Sequence, residues 1–254
     1  MKLFRGARVA LLALAIAVMT GACGSRAARE DERGGAAAPA ASSSAPPKAS
    51  SIAPATAGAR AGTRPRIAIL GDSLTAGLGL RQSQAYPTLL QQRLDDEGLG
   101  YEVVNAGVSG DTSAGGLARL DWALQGDVRI LIVALGGNDA LRALPTDQLR
   151  DNLATVIERA QARGITVVLA GMEAPPNFGR DYIVAFHQVY PALAARYHVA
   201  LVPFLLAGVA GIDALNQPDG MHPTAAGARI VADNVWKLLE PIAKEHRVEK
   251  RTGT

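Results

Sequence analysis

The chain has 254 residues and a net charge of +3, from 26 Lys/Arg against 23 Asp/Glu, and 48% of its residues are hydrophobic. Residues 1–65 hold nine Lys/Arg and three Asp/Glu, so the remainder carries a charge of −3 and offers no basic footprint for nucleic acid. A single cysteine, Cys23, excludes any intrachain disulfide, so the fold rests on its core.

The chain opens with Lys2, Arg5 and Arg8, then an apolar stretch from Val9 to Met19. That stretch is short of the roughly 20 apolar residues that span a bilayer. The charge–apolar–small order fits a secretory signal over residues 1–23. It resembles a bacterial lipoprotein signal, in which Cys23 is lipidated, although Thr20 stands where Leu is usual. Lipidation of Cys23 and plain cleavage nearby both remain open. Either outcome places the protein outside the cytosol, in a bacterial periplasm or as a membrane-anchored lipoprotein. Residues 24–64 are mostly Ala, Pro, Ser, Gly and charged residues, and 36–47 contain only Ala, Pro and Ser. Such a segment buries too little to offset its ordering entropy and reads as a tether.

Residues 65–245 have single-domain length. Apolar runs at Arg66–Leu70, Glu102–Asn105, Arg129–Leu135, Thr166–Ala170 and Ala200–Pro203 predict strands. Amphipathic stretches between them predict helices over Tyr86–Glu97, Ala114–Leu124, Asp147–Arg163 and Asp181–Tyr197, with a last one from Pro223 to about Lys244. Gly98 and Gly164 stand where helix C-caps belong, and Thr146 where an N-cap does. Residues 246–254 read as a disordered tail. Strand–helix alternation of this kind predicts a parallel sheet of about five strands covered by helices on both faces, a three-layer α/β/α sandwich of flavodoxin type.

In open α/β sheets, ligands bind beyond the carboxyl ends of the strands. Four segments there carry chemistry. Gly71-Asp72-Ser73-Leu74 follows the first strand, with Gly71 turning the backbone and Ser73 placed as a nucleophile. Asp72 or Ser73 as a simple helix cap is the competing reading. Gly110, in Ser109-Gly110-Asp111-Thr112 after the second strand, offers an unshielded backbone N–H. Asn138, in Gly136-Gly137-Asn138-Asp139 after the third, carries an amide that can face the same point, as an oxyanion hole requires. Asp219 and His222, three apart before the last helix, can pair so that one ring nitrogen remains an acceptor, and Pro223 suits that helix's first turn. His187, His198 and His246 lack such a setting. No HExxH motif or Cys/His cluster with metal-ligand spacing occurs.

These blocks, in this order over residues 66–240, resemble the SGNH/GDSL hydrolases, in particular the bacterial branch of acyl-CoA thioesterase I, lysophospholipase and arylesterase. Ser109–Ser113 followed by Gly116–Leu120, and Leu135–Asp139 followed by Leu141-Arg142, carry the likeness to that branch. The resemblance implies a serine esterase with a Ser73–His222–Asp219 triad. Its oxyanion hole is formed by the Ser73 and Gly110 N–H groups and the Asn138 amide. It implies no metal or organic cofactor, a small acyl ester or thioester as substrate, and a monomer. Leu74, Leu78, Leu141, Leu144 and Pro175, on loops at the same sheet edge, are candidates for an apolar acyl groove; ordinary loop packing is the alternative. A sugar or cell-wall O-acetyl esterase and a non-catalytic binding lipoprotein are the rival functions on this scaffold.

Overall fold

A computed structural model describes residues 64–252, with side chains through 246. The export segment 1–23 with Cys23, and residues 24–63 of the tether, lie outside the described residues.

Five parallel strands form one sheet: β1 (Arg66–Gly71), β2 (Glu102–Gly107), β3 (Val128–Ala134), β4 (Thr166–Ala170) and β5 (Ala200–Val202). Their order is β2-β1-β3-β4-β5. The central strands are apolar without alternation because both faces are covered: Ile67 to Leu70 and Ile130 to Val133 are fully buried. On one face α2 (Tyr86–Asp96) packs against α8 (Ala225–Thr252). On the other lie α3 (Ser113–Ala118), α6 (Thr146–Gln161) and α7 (Arg180–Tyr197). The buried face of α6 is Leu149, Leu153, Val156, Ile157 and Ala160, the stripe its periodicity predicts.

Several boundaries differ from expectation. The helix expected over Ala114–Leu124 is broken at Arg119 into α3 and α4 (Leu120–Ala123). Gly115-Gly116 weakens the helix, and Arg119 turns its side chain to carbonyls at the strand ends. Thr146 is the first residue of α6, with Pro145 at the cap position and no side-chain cap bond. Pro223 precedes α8 rather than starting it; it bridges Asn216, and Thr224 caps the helix by accepting from the Gly227 N–H at 3.3 Å. The helix itself continues to Thr252, past the Lys244 expected as its end. Residues 246–252 are rich in helix formers, and upstream the helix gains an i,i+4 bond from Lys244 to Glu240 (2.6 Å).

The order β2-β1-β3 makes the carboxyl ends of β1 and β3 the switch point of the sheet, where connections depart to opposite faces and leave a crevice. The segments after β1, β2 and β3 therefore meet at one edge. Two short helices begin there: α1 (Ser73–Ala76) and α5 (Gly137–Leu141).

Candidate active site

Ser73 opens α1 immediately after the buried end of β1. Asp72 caps that helix by accepting the Leu74 N–H at 3.0 Å. The cap reading is thus correct for Asp72, and it leaves the Ser73 hydroxyl free for another partner. Gly71 is needed for space rather than for a turn, since a Cβ there would sit 2.0 Å from Thr75 Oγ1. Gly107, ending β2, is under the same constraint: its Cβ would lie 2.3 Å from the Ala76 nitrogen. The first turn of α1 is thus clamped directly onto two strand ends.

The Ser73 Oγ lies 2.8 Å from His222 Nε2, and His222 Nδ1 lies 2.6 Å from Asp219 Oδ2. With Nδ1 protonated toward the carboxylate, Nε2 is left to accept the hydroxyl proton. The Asp–His pair is a local construction. Asp219 Oδ1 also accepts the Met221 N–H (2.9 Å) and the His222 N–H (3.0 Å), so the carboxylate is held by the backbone of the residues it serves. These backbone bonds and the imidazole contact lower the Asp219 pKa to about 2. The loop closes on itself through Gln217 N–H to His222 O (2.7 Å). It is tied to the loop beyond α1 by the Gln217 carboxamide, which donates to Leu78 O at 2.7 Å and Pro223 O at 3.0 Å.

Across the edge, among the described residues, the Ser73 and Gly110 N–H groups have no protein acceptor. Gly110 adopts a φ of 85°, a left-handed conformation that glycine accepts without strain. The Asn138 amide donates to Asp111 O at 3.0 Å and to Asp72 Oδ2 at 3.3 Å. Asp139 is buried and holds the neighbouring loop by accepting from Ser113 N–H (2.8 Å) and Ser113 Oγ (2.6 Å). Asp72 is also buried, 3% exposed, and burial raises its pKa to about 6, against the lowering effect of its hydrogen bonds and of His222.

These groups open on a cleft of about 630 Å³ whose walls are mainly apolar. Leu74, Leu78, Leu141 and Pro175 line it, together with Ser73, Gly110, Asn138 and His222. Leu144 does not. Ala143, two residues beyond α5, has a φ of 47°, and the Leu144 carbonyl accepts from Tyr182 OH at 3.0 Å. The sequence reading missed Phe204, Leu206, Ala210 and Met221, which also line the cleft. The first three follow β5, so the strand-end rule pointed to that loop; no residue in it carries distinctive chemistry.

Residues 69–230 match the model of the GDSL-like lipase/acylhydrolase family. The chain belongs to this family. Esterase TesA of Pseudomonas aeruginosa is 50% identical over 175 residues, covering 68% of this chain and 87% of that protein. Thioesterase 1/protease 1/lysophospholipase L1 of Escherichia coli K12 is 38% identical over 184 residues, covering 72% and 87%. Among solved structures, a crystal structure of TesA superposes with a TM-score of 0.67 at 48% identity, over 69% of this chain and 98% of that one. The esterase EstA from Pseudoalteromonas sp., inhibited by monoethylphosphonate, gives a TM-score of 0.67 at 31% identity, over 70% and 98%. The family's GDSL signature is written in this chain as Gly71-Asp72-Ser73-Leu74, at the edge where the cleft opens.

Proposed function

We propose that this protein is a serine hydrolase of carboxylic esters and thioesters, with Ser73 as nucleophile. The unbroken relay from the Ser73 hydroxyl through His222 to Asp219, opening on an apolar cleft, carries this reading. His222 Nε2 takes the hydroxyl proton as Ser73 Oγ attacks the acyl carbonyl. Negative charge gathers on the carbonyl oxygen. The Ser73 and Gly110 N–H groups and the Asn138 amide stabilise it. Asn138 supplies its proton by giving up the longer of its two contacts, the one to Asp72. His222 then returns the proton to the departing alcohol or thiol. Water, deprotonated by the same imidazole, releases the acid and restores Ser73.

Cleft size and lining favour an acyl chain of several carbons over an acetyl group. The relatives named esterase, arylesterase, thioesterase and lysophospholipase support ester and thioester cleavage. A panel of aryl esters from acetyl to palmitoyl, acyl-CoAs and lysophospholipids, run beside Ser73→Ala, tests the assignment. Activity on chains longer than acetyl, abolished by the substitution, is the expected result. A sharp acetyl preference would point to the O-acetyl esterase alternative, and activity retained by Ser73→Ala would remove the nucleophile. A fluorophosphonate probe should label the wild-type protein and not the variant.

The enzyme is further proposed to be exported and to act as a monomer. The charge–apolar–small order ending at Cys23 supports export, with Cys23 as a lipidation point. Fractionation with labelled palmitate, comparing wild type with Cys23→Ala, separates an anchored from a free form. Sedimentation of the soluble domain reads the oligomeric state.

A further inference from the structure

Arg119 stands at the break between α3 and α4, outside the relay and outside the lining of the cleft. Its guanidinium is largely enclosed, with 17% of the side chain exposed, and it uses three nitrogens on three separate segments. Nε donates to Asp111 Oδ2 at 2.5 Å, Nη1 to Ala106 O at 2.6 Å, and Nη2 to Gly71 O at 2.7 Å. Two of the three acceptors lie close in the chain, or by one hydrogen bond, to donors of the oxyanion site; the third, Ala106, anchors the end of β2. Gly71 is two residues before Ser73. Asp111 directly follows Gly110. The Asp111 carbonyl is the nearer acceptor of the Asn138 amide, at 3.0 Å.

We infer that Arg119 is the positioning residue of the oxyanion site, setting the mutual placement of all three donors through one planar group. The chemistry favours arginine specifically. A guanidinium presents its donors in a fixed fork, so holding one acceptor constrains the directions of the others; an ammonium holds acceptors without that angular constraint. The Gly71 carbonyl it grips also accepts the Val108 N–H at 3.0 Å, which joins the β2 loop to the end of β1. An ion pair to Asp111, enclosed to a similar degree at 19%, completes the hub. Donor placement matters because a hydrogen bond that strengthens as charge develops must already be aimed at the oxygen's final position.

This inference rests on the proposed role of Ser73. The experiment measures kcat and KM on an aryl ester for Arg119→Lys, Arg119→Met and Asp111→Asn, with urea unfolding of each protein. Expected are losses in kcat of about tenfold for Arg119→Lys and about a hundredfold for Arg119→Met, with KM changed less than about threefold. Fluorophosphonate labelling, which builds a tetrahedral adduct in the same donors, should slow in parallel. The pH profile of kcat should keep its shape, because the hub does not touch the Asp219–His222 pair. Asp111→Asn keeps two of the three guanidinium bonds and should lose less than Arg119→Met. A kcat within threefold of wild type for folded Arg119 variants, or losses equal to the unfolded fraction, would overturn the inference. So would a failure of all three variants to fold, which would make the hub structural only. If Ser73→Ala stays active, the hydrolase assignment falls instead; if it is inactive while the folded Arg119 variants turn over normally, only the positioning role falls.

Discussion

Asp72 is the place where this fold accepts a cost next to its chemistry, and replacing it with Asn exposes that cost. Its carboxyl is buried, and the rise in pKa from 3.8 to about 6 corresponds to about 3 kcal/mol of disfavoured ionisation. The sign is the reverse of the usual carboxylate case. Between about pH 4 and 6 the folded state binds more protons than the unfolded one, so stability falls as pH rises through that window and stays lower above it. Asn has the same shape and no charge. Its amide oxygen can keep the Leu74 cap, but its NH₂ group would face the Asn138 amide, giving back about 1 kcal/mol. Asp72→Asn should therefore be more stable than wild type by about 2 kcal/mol at pH 8, with the gain vanishing at about pH 4.5 and turning into a deficit of up to about 1 kcal/mol below it. Urea titrations at several pH values, at matched m-values, read this difference. A difference that is flat from pH 4 to 8, or a variant less stable at pH 8, refutes the reasoning.

Ser73→Ala should cost on the order of 10⁴-fold in turnover, and Asn138→Ala on the order of 10²–10³-fold, both read as kcat on a chromogenic ester with unfolding controls. Gly107→Ala would press a methyl against the Ala76 nitrogen at 2.3 Å; an expected loss of about 1–3 kcal/mol should appear in urea unfolding, and a neutral result would mean α1 is not clamped. Gln217→Ala removes the bond to Pro223 O within the Asp219–His222 loop and the bond to Leu78 O that ties this loop to the segment beyond α1. It should lower kcat about tenfold while shifting global stability by about 1 kcal/mol. Unchanged kcat would show that the loop holds itself.

The sheet was legible because its central strands β1, β3 and β4 are short apolar runs covered on both faces, and its edge was legible because Gly, Asn, Asp and Ser interrupt those runs abruptly. Ser73, Gly110, Asn138, Asp219 and His222 all stand in such interruptions, which is why single residues could be singled out. The misplacements share a cause: they depend on where a side chain reaches rather than on a local pattern. Leu144 follows Leu141 and reads as groove-lining, yet left-handed Ala143 intervenes, Leu144 lies outside the cleft lining and its backbone carbonyl accepts from Tyr182 OH. Arg119 reads as one residue of an amphipathic helix, but its three carbonyl and carboxylate partners lie 8 to 48 positions away and break that helix. Gly71 is a case where the residue was read correctly for the wrong reason: a close contact, not a turn, forbids a side chain. A cap at Asp72 or Ser73 is the competing reading of this segment, and Asp72 is the one that caps; its burial depends on α1 folding down over the strand ends, a relation between distant segments.

Because Asp219 holds both the backbone and the ring of His222, acid and base travel as one rigid unit. Any displacement of the loop from the Ser73 hydroxyl would therefore carry both side chains together, so on heating we expect esterase activity to be lost below the unfolding temperature of the sheet and to return on cooling.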